Sequence, residues 1–381
     1  MIYFDHAATS FPKPRSVVDA VTRCMVREGG NPGRGSHSLS MAAAERVYRC
    51  RTAAAELLGV GDPQRIIFTK NTTEGLNLVL KGLLRQGDHV LISDMEHNAV
   101  YRPIACLAEK GVIDYGLFPT LGEAGEGREA AILEALSRRI RPETRMVACA
   151  YSSNICSLSL PIAAIGAFCR DRGLLFVVDG AQAAGHLPIE VDRWSISALC
   201  LPGHKGLYGP QGIGLVALAE GVLPETLIEG GNGVDSLRFE MSEEVPERYE
   251  AGTLPTPAIA GLEAGIGLVR TMGTDAIDAH VRQIFCRARE AISSFAETEI
   301  YLPHREGAVL SFNWGNRPSE EVVAHLNRYG ICARGGYHCA ALAHRTLGTD
   351  GRGAVRLSFG LGNRLSEVDS LWIALRALRE T

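Results

Sequence analysis

The strongest constraint on the fold is a repeated pattern between residues 40 and 220, where short apolar runs alternate with stretches of helical periodicity. Apolar runs of this length are typical of buried strands, and their alternation with amphipathic helices indicates βα units around a mainly parallel sheet. The pattern therefore predicts an α/β domain. The predicted strands are 65–69, 89–93, 146–151, 174–178 and 196–201, and the predicted helices are 41–58 and 74–84.

Polar side chains follow each of the predicted strands. Because parallel strands end at the same edge of a sheet, where open α/β sheets bind their ligands, we expect these side chains to share one pocket. They are Asn71, Thr72, Thr73 and Glu74 after the first strand, Glu96 and His97 after the second, Asn154 after the third, Asp179 and Gln182 after the fourth, and His204 and Lys205 after the fifth.

Beyond residue 260 the pattern changes and predicts a smaller α+β domain. It contains predicted helices at 259–272, 274–295, 319–329 and 367–378, and predicted strands at 309–314 and 355–359. We place the large domain at 15–260 and the small C-terminal domain at 261–381, together with 1–14. The small domain carries the segment 334–344, which is rich in glycine and histidine near its start.

Charge and cysteine usage exclude several classes of protein. A net charge of -4 without a dense Lys/Arg cluster gives no footprint for nucleic acid, and no apolar run approaches the roughly 18 residues of a membrane span. The N-terminus lacks a basic stretch followed by an apolar run, so no leader is predicted. The ten cysteines form no C-x-x-C pair and no zinc-finger spacing, which argues for a reducing cytoplasm and against a metal site. A small molecule is the expected partner.

Lys205 has a setting that favours cofactor chemistry over a solvated surface position. It follows an apolar run and lies among Gly203, Gly206 and Gly209, so the backbone is expected to turn tightly there. A lysine in a water-poor pocket loses its proton readily and forms a Schiff base with an aldehyde, the anchoring chemistry of pyridoxal 5′-phosphate (PLP).

The other strand-end residues supply what PLP requires. Asp179 could pair with the pyridinium nitrogen, and His97 could lie against the ring. Thr72 and Thr73 precede a predicted helix, where free backbone N–H groups can hold a phosphate. Each has an ordinary alternative, because Asp179 and Thr72 could be helix caps and His97 a structural histidine. The joint pattern, more than any single residue, points to PLP.

Eight motifs, spread over nearly the whole chain, occur together in this sequence. They are YFDHAAT at 3–9, FTKNTTE at 68–74, MEH at 95–97, VDGAQA at 178–183, GHKG at 203–206, YEAGT at 249–253, RGGYHC at 334–339 and VRLS at 355–358. In these motifs the chain resembles the class V aminotransferase family, and specifically its cysteine desulfurase branch. The resemblance implies PLP fold-type I, with a mainly parallel seven-stranded sheet in the large domain and a smaller α+β C-terminal domain.

The resemblance also implies a role for each site residue. Lys205 is the Schiff-base lysine, Asp179 the pyridinium partner and His97 the stacking group, which could also exchange protons with the substrate. Arg356 clamps the substrate carboxylate, a task suited to a two-pronged guanidinium, and Arg334 and Asn154 lie with it in the substrate site. The remaining cofactor contacts implied are Gln182 and Asn154 at the ring oxygen, Thr72, Thr73 and His204 at the phosphate, and Thr253 from the second subunit of a homodimer.

Cys339 decides the implied reaction. In this branch Lys205 removes the substrate α-proton and the cysteine attacks the substrate sulfur, which leaves a persulfide for a protein acceptor and releases alanine. His338 and Arg334 beside Cys339 suggest electropositive surroundings that favour the thiolate. The short segment 334–339 resembles the compact-loop group of desulfurases, which implies a restrained thiolate that depends on an acceptor.

Two departures from the family pattern leave alternatives open. Pro202 stands where relatives usually carry Ser or Thr, so one phosphate contact is expected to be missing or replaced. After Asn154 the usual Gly-Thr is absent, and Cys156 could lie near the pocket, although packing explains it equally. The alternatives are a selenocysteine lyase, which shares most of the site, and an inactive relative acting as a scaffold, which Pro202 would support.

Overall fold

The computed structural model describes residues 1–33, 35–121, 127–233, 236–302, 304 and 307–380. Within these residues the chain forms eleven α-helices and twelve β-strands. The helices are α1 (Arg15–Arg27), α2 (Ser38–Leu58), α3 (Thr72–Leu83), α4 (Asn98–Glu109), α5 (Gly127–Ser137), α6 (Ile162–Arg170), α7 (Thr256–Met272), α8 (Thr274–Ser293), α9 (Ser319–Arg328), α10 (Ala341–Thr346) and α11 (Glu367–Arg379). The strands are β1 (Ile2–Tyr3), β2 (Ile66–Thr69), β3 (Asp88–Ser93), β4 (Ile113–Phe118), β5 (Thr144–Ala150), β6 (Leu175–Asp179), β7 (Ala198–Pro202), β8 (Gly214–Leu218), β9 (Thr298–Ile300), β10 (Val309–Trp314), β11 (Ile331–Cys332) and β12 (Val355–Ser358).

The central sheet has seven strands in the order β2-β8-β7-β6-β5-β3-β4. Strand β8 is antiparallel to both of its neighbours, and the other pairs are parallel. The predicted α/β architecture with a mainly parallel seven-stranded sheet is confirmed. Ala150 pairs with Asp179, and Asp179 pairs with Cys200. This register brings the ends of β5, β6 and β7 together, so the loops that follow them share one edge of the sheet.

The five predicted strands of this sheet agree with the structure to within two residues. Strands β4 and β8 were not predicted, for different reasons. Strand β4 lies at the sheet edge and includes exposed Asp114, so its apolar run is interrupted. Strand β8 is wholly buried, but it follows the glycine-rich segment after Lys205 and looked like a continuation of that loop.

A second core lies between the small sheet and the C-terminal helices. Strands β12, β10 and β9 form an antiparallel sheet, and β1 pairs with β11. Phe4 joins this core, which brings the N-terminal segment to the C-terminal elements. The assignment of 1–14 to the small domain stays a prediction. Helix α7 contributes Leu262 to the core of the large sheet and Val269 to the second core. The boundary at 260/261 stays a prediction.

A buried ion pair covers the outer edge of β2. The Arg51 guanidinium donates to the Ile66 carbonyl and to the Glu250 carboxylate, while Glu250 Oε1 accepts from the Phe68 backbone N–H at 2.7 Å. Burial raises the pKa of Glu250, and Arg51 opposes that shift. The pair thus satisfies backbone groups that an edge strand leaves free and fixes the segment 249–253 beside the sheet.

We expect Arg51→Met to lower the free energy of unfolding by about 3–5 kcal/mol, because it leaves the Glu250 carboxylate buried without its cation. Denaturant unfolding at pH 7 measures this. The double variant Arg51→Met/Glu250→Leu should recover much of the loss. A loss below about 1 kcal/mol for the single variant, the value of a surface pair, would contradict the prediction.

Candidate active site

One cavity lies at the carboxyl edge of the central sheet, with about 540 Å³ of empty space including its open mouth. It brings together residues from the ends of β3, β5, β6 and β7 and from the start of α3, as the pattern of strand-end polar residues predicted. The predicted residues that line it are Asn71, Thr72, Thr73, His97, Asn154, Asp179, Gln182, His204 and Lys205, and Pro202 also contributes. Glu74 and Glu96 were expected in this pocket but do not line it. The Glu74 carboxylate accepts from the Lys70 N–H, and the Glu96 carboxylate accepts from the Ser93 hydroxyl and the Ala150 N–H.

Lys205 and Asp179 form the charged centre of this cavity. The pKa of Lys205 is lowered to about 8, chiefly by burial; Asp179 opposes this shift, and Arg356 and Arg334 contribute to it. Burial raises the pKa of Asp179, although the Ala181 N–H that binds its Oδ1 at 2.9 Å and the nearby Lys205 favour its charged form. At pH 7 roughly a tenth of Lys205 is therefore the free amine that attacks an aldehyde, far more than for an exposed lysine.

The rate at which apoprotein attaches covalently to added PLP is expected to rise with pH with a midpoint near 8, because deprotonation of Lys205 generates the nucleophile. Asp179→Asn should move the midpoint to lower pH, since it removes the group that raises the pKa of Lys205. Borohydride trapping followed by mass spectrometry at a series of pH values measures the rate. A midpoint near 10, the value of an exposed lysine, would contradict the assignment.

His97 combines a structural and a cavity position. It is the N-cap of α4, and its Nδ1 accepts from the Ala99 backbone N–H at 3.0 Å. This bond leaves the ring proton on Nε2. Burial, together with Lys205 and Arg356, lowers the pKa of His97 to about 4, so the ring is neutral at pH 7. The cap role and the site role are compatible, because the cap fixes the ring while its face lines the cavity.

The start of α3 is built to receive an anion. Asn71 caps the helix by accepting from the Glu74 N–H at 3.0 Å. Among the described residues, Thr72 Oγ1 and His204 Nδ1 are buried polar atoms without a hydrogen-bond partner. Pro202, at the end of β7, also lines the cavity and brings neither a hydroxyl nor an N–H. The donor set therefore fits a phosphate that is held by the helix terminus and side chains.

The predicted substrate arginines meet at a carboxylate that was not predicted. Arg356, only 3% exposed, donates to Asp5 Oδ1 at 2.9 Å and to the Asn154 carbonyl at 3.1 Å. Arg334 binds Asp5 Oδ2 at 2.9 Å. Two guanidinium groups and one carboxylate leave one net positive charge, which suits a substrate carboxylate. The only signal for Asp5 was its place in the 3–9 motif.

The segment with Cys339 is hydrogen-bonded to the cavity wall through its backbone. The Asn154 side chain donates to the His338 carbonyl at 2.8 Å, and the Asn98 N–H, directly after His97, donates to the Cys339 carbonyl at 2.7 Å. All ten cysteines lie among the described residues, and Cys339 is the exposed one. Asn98, like Asp5, was not predicted, because its role depends on the fold.

One expectation about the surroundings of Cys339 changes. Burial and Arg356 lower the pKa of His338 to about 3, so this residue is neutral at pH 7 and supplies no cation beside Cys339. The predicted positive contribution of His338 was therefore wrong. Cys156 is buried in one cluster with Met95 and Ala340, in agreement with the packing explanation.

Thr253 lies outside this cavity within the chain. It lines a separate cleft with about 1340 Å³ of empty space including its open mouth, together with Tyr48, Arg51 and Glu250. The prediction placed it at the cofactor of a second subunit, and that role stays a prediction.

A lysine of lowered pKa, a buried aspartate and an anion site at a helix terminus together define a PLP-dependent enzyme. The chain belongs to the family whose model is described as aminotransferase class-V, which matches residues 2–371. Within that family its relatives are cysteine desulfurases. It is 32% identical to the cysteine desulfurase of Salmonella agona (strain SL483), covering 97% of this chain and 91% of that one. It is 30% identical to the probable cysteine desulfurase of Vibrio cholerae, covering 98% and 93%.

A solved structure has the same overall arrangement. The apo cysteine desulfurase of Thermococcus onnurineus NA1 superposes with a TM-score of 0.90 at 31% identity, covering 99% of this chain and 94% of that one. The motifs that indicated this family in the sequence therefore indicated it correctly. Among the described residues, no helix combines the length and apolar character that a membrane crossing requires.

Proposed function

We propose that this protein is a PLP-dependent cysteine desulfurase that converts L-cysteine to L-alanine and leaves the sulfur as a persulfide on Cys339. The observation that supports this most is the attachment of the exposed cysteine to the Lys205 cavity. Asn154 and Asn98 hold the carbonyls of His338 and Cys339 at the cavity wall. A transaminase has no need for an exposed thiol at this position.

The cavity residues hold the cofactor in this proposal. Lys205 anchors it, Asp179 pairs with its ring nitrogen and His97 covers one face. Asn154 and Gln182 are assigned to the ring, and Thr72, Thr73 and His204 to the phosphate. Gln182 is oriented by its Nε2, which donates to the Ala7 carbonyl at 3.0 Å. When bound, PLP supplies an electron sink for the bonding electrons left at the substrate Cα.

Lys205 and the arginines act on the amino-acid part of the substrate. Arg356 and Arg334 bind its carboxylate and orient the Cα–H bond. The free amine of Lys205 takes the α-proton at Nζ and later returns a proton to carbon, a task for which a pKa near 8 is well matched. His97 keeps its proton on Nε2, where it can donate to the substrate.

Cys339 acts on the sulfur. Its thiolate attacks the substrate sulfur, a sulfur–sulfur bond forms, and the carbon–sulfur bond breaks with its electron pair passing to carbon. That carbon takes a proton and becomes the methyl group of alanine. The net change is Cys339–SH plus L-cysteine giving Cys339–S–SH plus L-alanine, which needs no external oxidant or reductant. Exposure of Cys339 suits transfer of the terminal sulfur to an acceptor protein.

Mass spectrometry after addition of L-cysteine tests this function. We expect alanine in solution and one added sulfur atom on the peptide that contains Cys339. Alanine release without a mass gain on that peptide would contradict the assignment of Cys339. The same assay with L-selenocysteine determines which of the two substrates the wild-type protein prefers, and a strong preference for selenocysteine would make the protein a selenocysteine lyase.

The protein is further proposed to act as a homodimer in the cytoplasm. Met25 and Val26 on α1 and Met41 and Tyr48 on α2 are large apolar residues that are more than half exposed. Tyr48 lines the same cleft as Thr253, so a second copy that covers these helices would bring Thr253 near the interface. Sedimentation equilibrium should give twice the chain mass of 41.0 kDa. A fully active monomer would contradict the role of Thr253.

A further inference from the structure

The turn that carries Cys339 has an unusual backbone. The Ala340 N–H donates to the Tyr337 carbonyl at 3.0 Å, and the two residues between them, His338 and Cys339, have φ values of 50° and 55°. Positive φ at both central positions is typical of turns built with Gly or Asn. A side chain with a Cβ costs about 1–2 kcal/mol at each such position. The turn persists only because surrounding contacts hold it.

A chain of hydrogen bonds reaches this turn from α10. His344 Nδ1 lies 2.7 Å from Thr349 Oγ1, and His344 Nε2 lies 3.5 Å from His338 Nδ1. His338 Nε2 in turn lies 3.3 Å from the Arg334 carbonyl oxygen. The two imidazole rings are nearly parallel, with 17° between their planes and 5.7 Å between their centres.

The donor and acceptor roles in this series of hydrogen bonds follow from the Arg334 carbonyl at its end. The Arg334 carbonyl can only accept, so His338 Nε2 donates to it and His338 Nδ1 is left to accept from His344 Nε2. His344 Nδ1 is then the acceptor for the Thr349 hydroxyl, which lies 2.7 Å from that nitrogen and 3.3 Å from the His344 carbonyl. His344 then carries its proton on Nε2, directed at His338 Nδ1, and the nearby Tyr337 carbonyl favours that N–H. His338 carries its proton on Nε2 and donates it to the Arg334 carbonyl. Both histidines are neutral, in agreement with the lowered pKa values of His338 and His344.

We propose that His344 and Thr349 are positioning residues for the sulfur-transfer step, because through His338 they hold the turn that directs Cys339 toward the cavity. The inference rests on the proposed function of Cys339 as the sulfur acceptor. Neither residue lines the cavity, and neither belongs to the motifs that identified the family. His344 is completely buried. A buried imidazole carries a desolvation cost that an apolar residue would avoid, and the hydrogen bonds to the turn account for its presence.

The chain offers a matched control for this proposal. Thr144 and His89 form a second buried threonine–histidine pair, with 2.9 Å between Thr144 Oγ1 and His89 Nδ1. This pair lies at the starts of β5 and β3, at the end of the sheet opposite the cavity. Thr349→Val and Thr144→Val therefore remove the same hydroxyl from similar surroundings, and only the first acts on the Cys339 turn.

Amide hydrogen exchange and steady-state kinetics of the PLP-bound protein test the proposal. In Thr349→Val we expect exchange at the Ala340 and Asn98 amides to accelerate roughly five- to tenfold, the effect of one buried hydrogen bond. The kcat for alanine formation should fall by a similar factor while KM for cysteine stays unchanged. Thr349→Ser, which keeps the hydroxyl, should restore both values. Thr144→Val should change neither, although its stability to denaturant is expected to fall comparably.

Several outcomes separate this proposal from the function on which it rests. The positioning role would be overturned if the Ala340 and Asn98 amides exchange at the same rate in Thr349→Val, Thr144→Val and wild type. It would also be overturned if Thr349→Ser loses as much kcat as Thr349→Val. If Thr349→Val does not fold, His344→Leu and His344→Gln together provide the second test. Exchange at Ala340 and Asn98 should accelerate in His344→Leu, which has no donor toward His338, and stay near the wild-type rate in His344→Gln, whose amide keeps one; equal rates in the two variants would overturn the positioning role. A wild-type protein without persulfide would refute the proposed function, and exchange would still decide the role of Thr349.

Discussion

Replacing Cys339 by serine is expected to reduce alanine formation from L-cysteine at least about 10³-fold, as removal of a catalytic nucleophile typically does. The thiol is the group that receives the sulfur, and serine cannot form the sulfur–sulfur bond. The turn should survive the change, because Cys339 contacts the cavity wall through its carbonyl group rather than its side chain. The measurement is alanine release, with the absorbance of bound PLP as the check that the cofactor site is intact.

The control for this experiment is Cys332→Ser. Cys332 lies in β11, seven positions before Cys339, and is partly exposed, so it reports the general effect of losing a thiol in this part of the chain. It should retain close to full activity. A Cys339→Ser protein with more than a tenth of wild-type activity on cysteine would show that sulfur leaves by a route that does not need this residue.

Replacing Lys205 by alanine should be at least as damaging, for two reasons that can be measured separately. It removes the covalent anchor of the cofactor, and it removes the base for the α-proton, which alone contributes about 10²–10⁴-fold. We expect no mass gain after borohydride treatment with PLP and no detectable alanine. Some non-covalent binding of PLP should remain, because Asp179, Thr72 and His204 still line the cavity.

Lys70→Ala serves as the matched lysine variant. Its side chain is exposed at the end of β2, close to the cavity in sequence but without a place in its lining. Full activity and covalent attachment of PLP are expected. Borohydride-dependent attachment that persists in Lys205→Ala would mean that another lysine carries the cofactor, and Lys13, whose pKa burial lowers to about 8, would then be the first to examine.

The sequence predicts those residues of the site whose positions depend on the local pattern of strands and helices. Asp179 is the last residue of β6 and His97 lies four positions after the end of β3, so the strand pattern and the parallel register place them at one edge of the sheet. Asn71 and Thr72 are fixed in the same way, because a helix that starts immediately after β2 must direct its first N–H groups at that edge. For these residues, the predicted ends of the strands are nearly sufficient to predict their place in the cavity.

The sequence does not predict contacts between distant segments. Asp5 meets Arg356 across 351 positions of the chain, and Asn154 meets His338 across 184. Arg51 and Glu250 are charged residues that would ordinarily be assigned to the surface, and their burial follows from the free edge of β2. The direction of β8 also depends on its partners. Side-chain periodicity contains no information about any of these pairings.

Asn154 contacts both parts of the proposed chemistry. Its carbonyl accepts from Arg356, and its side-chain amide donates to the residue before Cys339. If the Arg356 guanidinium shifts when it binds the substrate carboxylate, Asn154 is expected to shift with it and to displace the segment that carries Cys339. Binding of the amino acid and positioning of the Cys339 thiol would then be coupled, and a replacement of Asn154 would uncouple them.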